Sequence, residues 1–75
     1  MWTSGSMMVN EIEILYWVKH YEEPSIIYGI DGGRILKLML KHNNKILASY
    51  ERGWDIKPET EEAEIAFNKL LDKYN

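Results

Sequence analysis

The chain has no cysteine, two prolines and a single phenylalanine among its 75 residues. It has no apolar run near the roughly 20 residues that a membrane span needs. The missing cysteine removes disulfides and thiolate zinc sites together and fits a reducing compartment. His20 and His42 stand alone, so neither a metal site nor a cofactor is expected. No charge dominates: nine basic against twelve acidic residues give a net charge of −3. A nucleic-acid binder needs clustered Lys and Arg to neutralise phosphates, and −3 is too small a charge for a DNA mimic. The first residues lack a charged leader followed by an apolar stretch, so no secretory signal is expected.

This length accommodates one domain with a small core, which must be held by tight helix-on-sheet packing or by oligomerisation. Residues 1–7, with Thr3-Ser4-Gly5-Ser6 inside them, read as a disordered expression leader. That leaves residues 8–75 as the domain and Trp2 without functional weight.

Apolar residues alternate from Val9 to Tyr21, with Ile12, Ile14, Tyr16 and Val18 on one face, which predicts a strand. Glu22-Glu23-Pro24-Ser25 ends it, because proline cannot donate to a ladder. Tyr21 to Gly33 reads as a long loop, with a short extra strand at Ile26-Ile27-Tyr28 as the alternative. Arg34 to Lys41 is a second strand with Leu36, Leu38 and Leu40 on one face. Ile46 to Trp54 is a third, with Ile46, Ala48 and Tyr50. Matching those faces pairs Leu40 with Ile46, Leu38 with Ala48 and Leu36 with Tyr50. It also demands the odd-length loop His42-Asn43-Asn44 rather than a two-residue turn. Pro58 opens a helical region in which Ala63, Ala66, Phe67, Leu70, Leu71 and Tyr74 form a stripe. The expected fold class is α+β: a three-stranded antiparallel β-meander, or four strands with the extra one, covered on one face by a single C-terminal helix.

This register sets Arg34 opposite Arg52, and like charges facing each other repel. His20, the Asp31-Gly32-Gly33 turn and the helix start are expected at the same end of the sheet, with Tyr28 and Trp54 as flat stacking surfaces. The set would suit an anionic nucleotide. A structural reading competes: nearby carboxylates neutralise the arginines, the glycines turn the chain, and Trp54 folds under the helix. His20 with Asp31 or Asp55 makes a poor base and orienter without a nucleophile, so no catalytic residue is assigned and no enzyme is expected. His42 reads as a turn residue.

One helix covers one sheet face. The opposite face carries Leu15, Trp17, Tyr21, Ile35, Met39 and Leu47, a patch of the kind that meets partners. A folded-back loop or lysine stems could cover it instead. Self-association into a homodimer is the simplest use of such a face.

Tyr16-Trp17-Val18-Lys19-His20-Tyr21-Glu22-Glu23, then Tyr28-Gly29-Ile30-Asp31-Gly32-Gly33-Arg34-Ile35 and Tyr50-Glu51-Arg52-Gly53-Trp54-Asp55, carry a resemblance that extends over nearly the whole chain after Met8. The chain resembles a family of small phage and prophage proteins of Firmicutes, chiefly clostridia, a domain of unknown function. The resemblance implies a phage or prophage setting and action in the cytoplasm of the bacterial host. The expected function is therefore a non-enzymatic binding protein acting on a host protein, of accessory or counter-defence type. The alternative is sequestration of an anionic nucleotide at the Arg34/Arg52 end.

Overall fold

A computed structural model describes residues 1–75 as α+β, one antiparallel sheet with a C-terminal helix. Five strands run in sheet order as in sequence: β1 (Trp2–Val9), β2 (Ile12–His20), β3 (Ile35–His42), β4 (Lys45–Glu51) and β5 (Trp54–Ile56). The helix α1 spans Glu61–Tyr74. The meander and single helix match the expected class, whereas the strand count does not.

Both additional strands lie outside the places considered. Residues 2–7 of the segment expected to be disordered belong to β1, which pairs with β2 without interruption from Trp2↔Lys19 to Val9↔Ile12. Thr3, Gly5, Met7 and Val9 stand across from the inward set Val18, Tyr16, Ile14 and Ile12, so β1 extends the core face. The Tyr16 ring tip lies against Gly5, where a Cβ would come within 2.8 Å of its hydroxyl and push the ring aside. The expected third strand in fact reverses at Arg52-Gly53, with Arg52 left-handed at φ 57°, and returns as β5. Ile26-Ile27-Tyr28 forms a turn rather than a strand.

Three bulges correct the expected register. Asn43 and Asn44 both take left-handed φ, 48° and 64°, the conformation of a two-residue hairpin turn that asparagine tolerates. The rejected two-residue turn therefore exists. Leu47 is the extra residue that makes it compatible with the buried faces, because the pairing passes from Lys41↔Ile46 to Leu40↔Ala48. Tyr50 consequently meets Leu38, not Leu36. A second bulge takes Lys19↔Lys37 to His20↔Ile35 and leaves Leu36 as the extra residue. One inserted residue reverses which side chains face inward. Ile35, expected on the uncovered face, is thus fully buried, and Leu47 packs against the core rather than lying on the open face. Asp55 is the extra residue in β5, between the Ser49↔Ile56 and Tyr50↔Trp54 pairs.

The core comprises Val9, Ile14, Val18, Ile35, Leu38, Leu40, Ala48 and Tyr50 from the sheet, Ile30 from the loop between β2 and β3, and Ala63, Ala66 and Leu70 from α1. Each large apolar side chain so buried stabilises by about 1.5–3 kcal/mol. The helix begins three residues after Pro58, at Glu61. Thr60 is its N-cap, its Oγ1 accepting from the Ala63 amide at 3.1 Å, which contributes about 1 kcal/mol. Because β5 carries the chain back down the sheet first, this N-terminus lies at the β1–β2 turn, where the Asn10 amide donates to Glu61 and Glu62. The helix C-terminus, not its start, meets the end of the sheet holding His20 and Ile35.

Candidate functional site

The predicted ligand set divides. Residues 21–33 fold on themselves: the Ser25 amide donates to Gly33 O and the Gly29 amide to Ser25 O, both at 2.9 Å. Ile30 to Gly32 make a short 3-10 turn whose Ile30 side chain enters the core. Gly29 has no room for a Cβ, which would run into the carbonyl of Gly33. Asn75 ties this loop to the sheet and the helix end: its Oδ1 accepts from the Ile35 amide at 3.0 Å and its Nδ2 donates to Ile30 O at 3.1 Å. Asp31, Gly32 and Gly33 are therefore part of a packed turn.

Arg34 and Arg52 do not face each other. The Arg52 amide donates to Leu36 O at 3.1 Å, and its guanidinium lies 5.4 Å from the Tyr28 ring centroid. The bulge at Leu36 and the reversal at Arg52 account for the displacement. Trp54 is edge-on to Tyr50 at 5.0 Å and to Phe67 at 5.3 Å. Such packing contributes about 0.5–1.5 kcal/mol per pair beyond burial. Its ring lies between sheet and helix, as the structural reading has it, and is not a free stacking surface.

Of that set, only His20 and Arg34 share a hollow, of about 470 Å³, with Tyr21, Glu22, Lys73 and Tyr74. The His20 ring stacks on Tyr74 at 4.7 Å, and its Nε2 lies 3.1 Å from Thr3 Oγ1. Its hydrogen-bonding partner is thus a hydroxyl on β1 and neither Asp31 nor Asp55. His42 ends β3 rather than forming the turn, with its Nδ1 at 2.8 Å from Glu13 O.

The helix-free face is laid out in rows by the strand pairing. One row runs Ser4, Trp17, Met39, Ser49, Ile56, and the next runs Trp2, Lys19, Lys37, Glu51. Leu15 pairs with Lys41 on the other side of Trp17. Trp2 and Trp17 with Met39, Lys37, Ser49 and Glu51 border a shallow hollow of about 350 Å³. Lys37 is held by Glu51 at 3.0 Å. Lys19 lies over both Trp2, at 5.6 Å, and Tyr21, at 5.7 Å, a cation–π arrangement. Of the six expected partner residues, Leu15, Trp17 and Tyr21 are exposed and Met39 is half-buried beside the hollow, whereas Leu47 is half-buried against the core and Ile35 is fully buried. Ile35 and Leu47 are not part of the face. Trp2 and Ile56, both exposed, are the additions that sequence reasoning missed. For Trp2 a signal existed, since Thr3, Gly5, Met7 and Val9 alternate with it, but the small residues between hid the strand period.

The site defines a small sheet-and-helix domain that keeps one face of its sheet uncovered and aromatic. The family model described as a domain of unknown function, DUF7678, matches residues 1–75, and the chain belongs to that family. Neither the curated proteins nor the solved structures contain a match to it. No helix of the chain is long and apolar enough to cross a membrane.

Proposed function

We propose that the chain is a non-enzymatic binding protein that holds a protein partner on the helix-free face of its sheet. The single observation that carries the reading is the apolar patch on this face, where Trp2, Trp17 and Met39 border the hollow, Leu15 flanks Trp17 and Ile56 lies beyond Ser49. An open sheet face in a monomer is ordinarily polar, and aromatic residues with methionine are enriched where partners dock. The charge on the face indicates the partner's chemistry. Glu51 occupies Lys37, while Lys19 and Lys41 have no carboxylate within ion-pair distance. The fitting partner is a protein segment with an aliphatic anchor for the Trp2–Trp17–Met39 hollow and flanking carboxylates for those two lysines. The resemblance to phage and prophage proteins supports a bacterial host protein as this partner, met in the host cytoplasm, in an accessory or counter-defence role.

Affinity capture from host lysate, run in parallel with variants, tests this. One stoichiometric partner is expected, lost with Trp17→Glu or Met39→Glu, weakened by Lys41→Glu and unaffected by Arg34→Ala. Capture that survives both face variants would overturn the proposal.

The alternative anionic-ligand reading rests on Arg34 and Lys73 in the lining of the second hollow, where they meet His20, Tyr21 and Tyr74 beside Glu22. It predicts thermal stabilisation by nucleotides that Arg34→Ala removes. A flat response across mono-, di- and cyclic nucleotides would eliminate it.

A further inference from the structure

We propose that the open edge of β1 pairs with β1 of a second copy, antiparallel and centred on Gly5, joining two sheets into one. The inference concerns an edge of the sheet and does not depend on what binds its face.

The direction of the backbone groups follows from the first pair in the ladder. The Met1 amine donates to His20 O and the His20 amide donates to Met1 O, each at 2.9 Å. Antiparallel ladders alternate, so Thr3, Gly5, Met7 and Val9 also turn their N–H and C=O toward β2. Trp2, Ser4, Ser6 and Met8 turn theirs to the open side. That edge is an uninterrupted run of eight residues without a charge, a proline or a bulge. These are the devices by which an edge strand is kept from pairing. The opposite edge differs: β5 has three residues and carries the Asp55 bulge.

A two-fold axis at Gly5 makes this edge complementary to itself. Trp2 then faces Met8 of the second copy, and Ser4 faces Ser6 of the second copy. All four are residues whose backbone groups point outward, so the pairing supplies about eight hydrogen bonds. On the helix-free side, Trp2 (56% exposed) and Met8 (62% exposed) cover each other in a thioether–aromatic contact. The charges agree as well. Lys19 pairs with Trp2 and Glu13 with Met8, so each row across the axis reads Lys19, Trp2, Met8, Glu13, with opposite charges at its ends. On the inner side Gly5 meets Gly5, where no side chain keeps the strands apart. Shifting the register by two residues would separate Trp2 from Met8. The joined sheet would carry both aromatic faces on one side, presenting two copies of each hollow to a partner.

Sedimentation velocity over a wide concentration series reads the result. The wild-type chain is expected to move from 8.9 kDa toward twice that mass as concentration rises. Ser4→Pro removes an outward N–H and no β1–β2 bond, and is expected to hold the chain at the monomer mass. Two double variants at exposed positions test the register without a proline. Ser4→Lys with Ser6→Lys sets lysine against lysine and should abolish the dimer, whereas Ser4→Lys with Ser6→Glu should restore it. Trp17→Glu, which removes the face, should leave the mass unchanged, so loss of partner capture and loss of pairing are separately visible. A wild-type monomer at every concentration would overturn the proposal. So would a dimer that survives the double lysine, or one that Trp17→Glu dissociates.

Discussion

The Tyr50 hydroxyl donates to the Tyr28 carbonyl oxygen at 2.8 Å, which fastens the 21–33 loop to β4 from inside the fold. Tyr50 is buried beside Leu38 and Trp54, so the bond joins the loop to the core and not merely to the surface. It also positions Tyr28 beneath Arg52.

Replacing Tyr50 with Phe keeps the ring packing and deletes only this bond. The expected cost is about 0.5–1.5 kcal/mol, which lowers Tm by about 4–8 °C per kcal/mol in a domain of this size. Hydrogen exchange at the Ser25 and Gly29 amides should quicken, and their unchanged protection would show that the loop is held otherwise. The pH dependence has a definite sign. Burial, and next the charge of Asp31, push the Tyr50 phenol above its usual 10.0. In the folded chain the proton is therefore retained after the unfolded chain has lost it. This contribution to stability is fully present below pH 10.0 and is lost as pH rises from there through the raised folded value. Tyr50→Phe should flatten that alkaline limb of a stability–pH curve.

Glu62 titrates in the opposite sense. The Asn10 side-chain amide, 3.1 Å away, and then its own backbone amide hold its carboxyl below the ordinary value of 4.5. Its contribution is present above pH 4.5 and disappears as pH falls through the lowered folded value. Asn10→Ala should move the Glu62 carboxyl titration, followed by NMR, upward toward the ordinary value. A curve that does not move would mean the Asn10 contact is not formed in solution.

The bulge in β3 is tested by two alanines. Ile35→Ala removes a fully buried side chain and should cost about 2–5 kcal/mol in urea denaturation. Leu36→Ala removes the bulged residue, which is only half-buried and outside the group packed on the core. Its cost should be about 1 kcal/mol or less. The reverse order would restore the plain alternation of Leu36, Leu38 and Leu40.

Much of the fold was legible without coordinates. The two-residue period of Ile12 to Val18 and the stripe from Ala63 to Tyr74 belong to ladders and helices whose geometry is local, and both elements formed. β1 was illegible because Ser4, Gly5 and Ser6 carry no apolar period, and its strand form depends on pairing with β2. The face of Ile35 was misread for a different reason. A bulge changes the parity of every later residue in a strand, and no residue type announces where it falls.

The candidate site divides along the same line. Trp17 and Met39 are placed on the open face by alternation, since β2 from Leu15 to Lys19 and β3 from Lys37 to Lys41 pair without a slip. The convergence of Arg34 and Arg52 was not realised. It depended on a register free of bulges and on a helix expected to start a few residues after a third strand that ran unbroken to Trp54. By itself, the sequence determined the α+β class, the helix and its inward stripe, and the aromatic character of one sheet face, because these follow from periodicities spanning a few residues. The tertiary structure alone decided the fifth strand, the inward turn of Ile35, the polarity of the helix relative to the sheet and the open edge of β1. Each of these is set by how distant segments pair, and pairing energy belongs to two strands at once rather than to either sequence read separately.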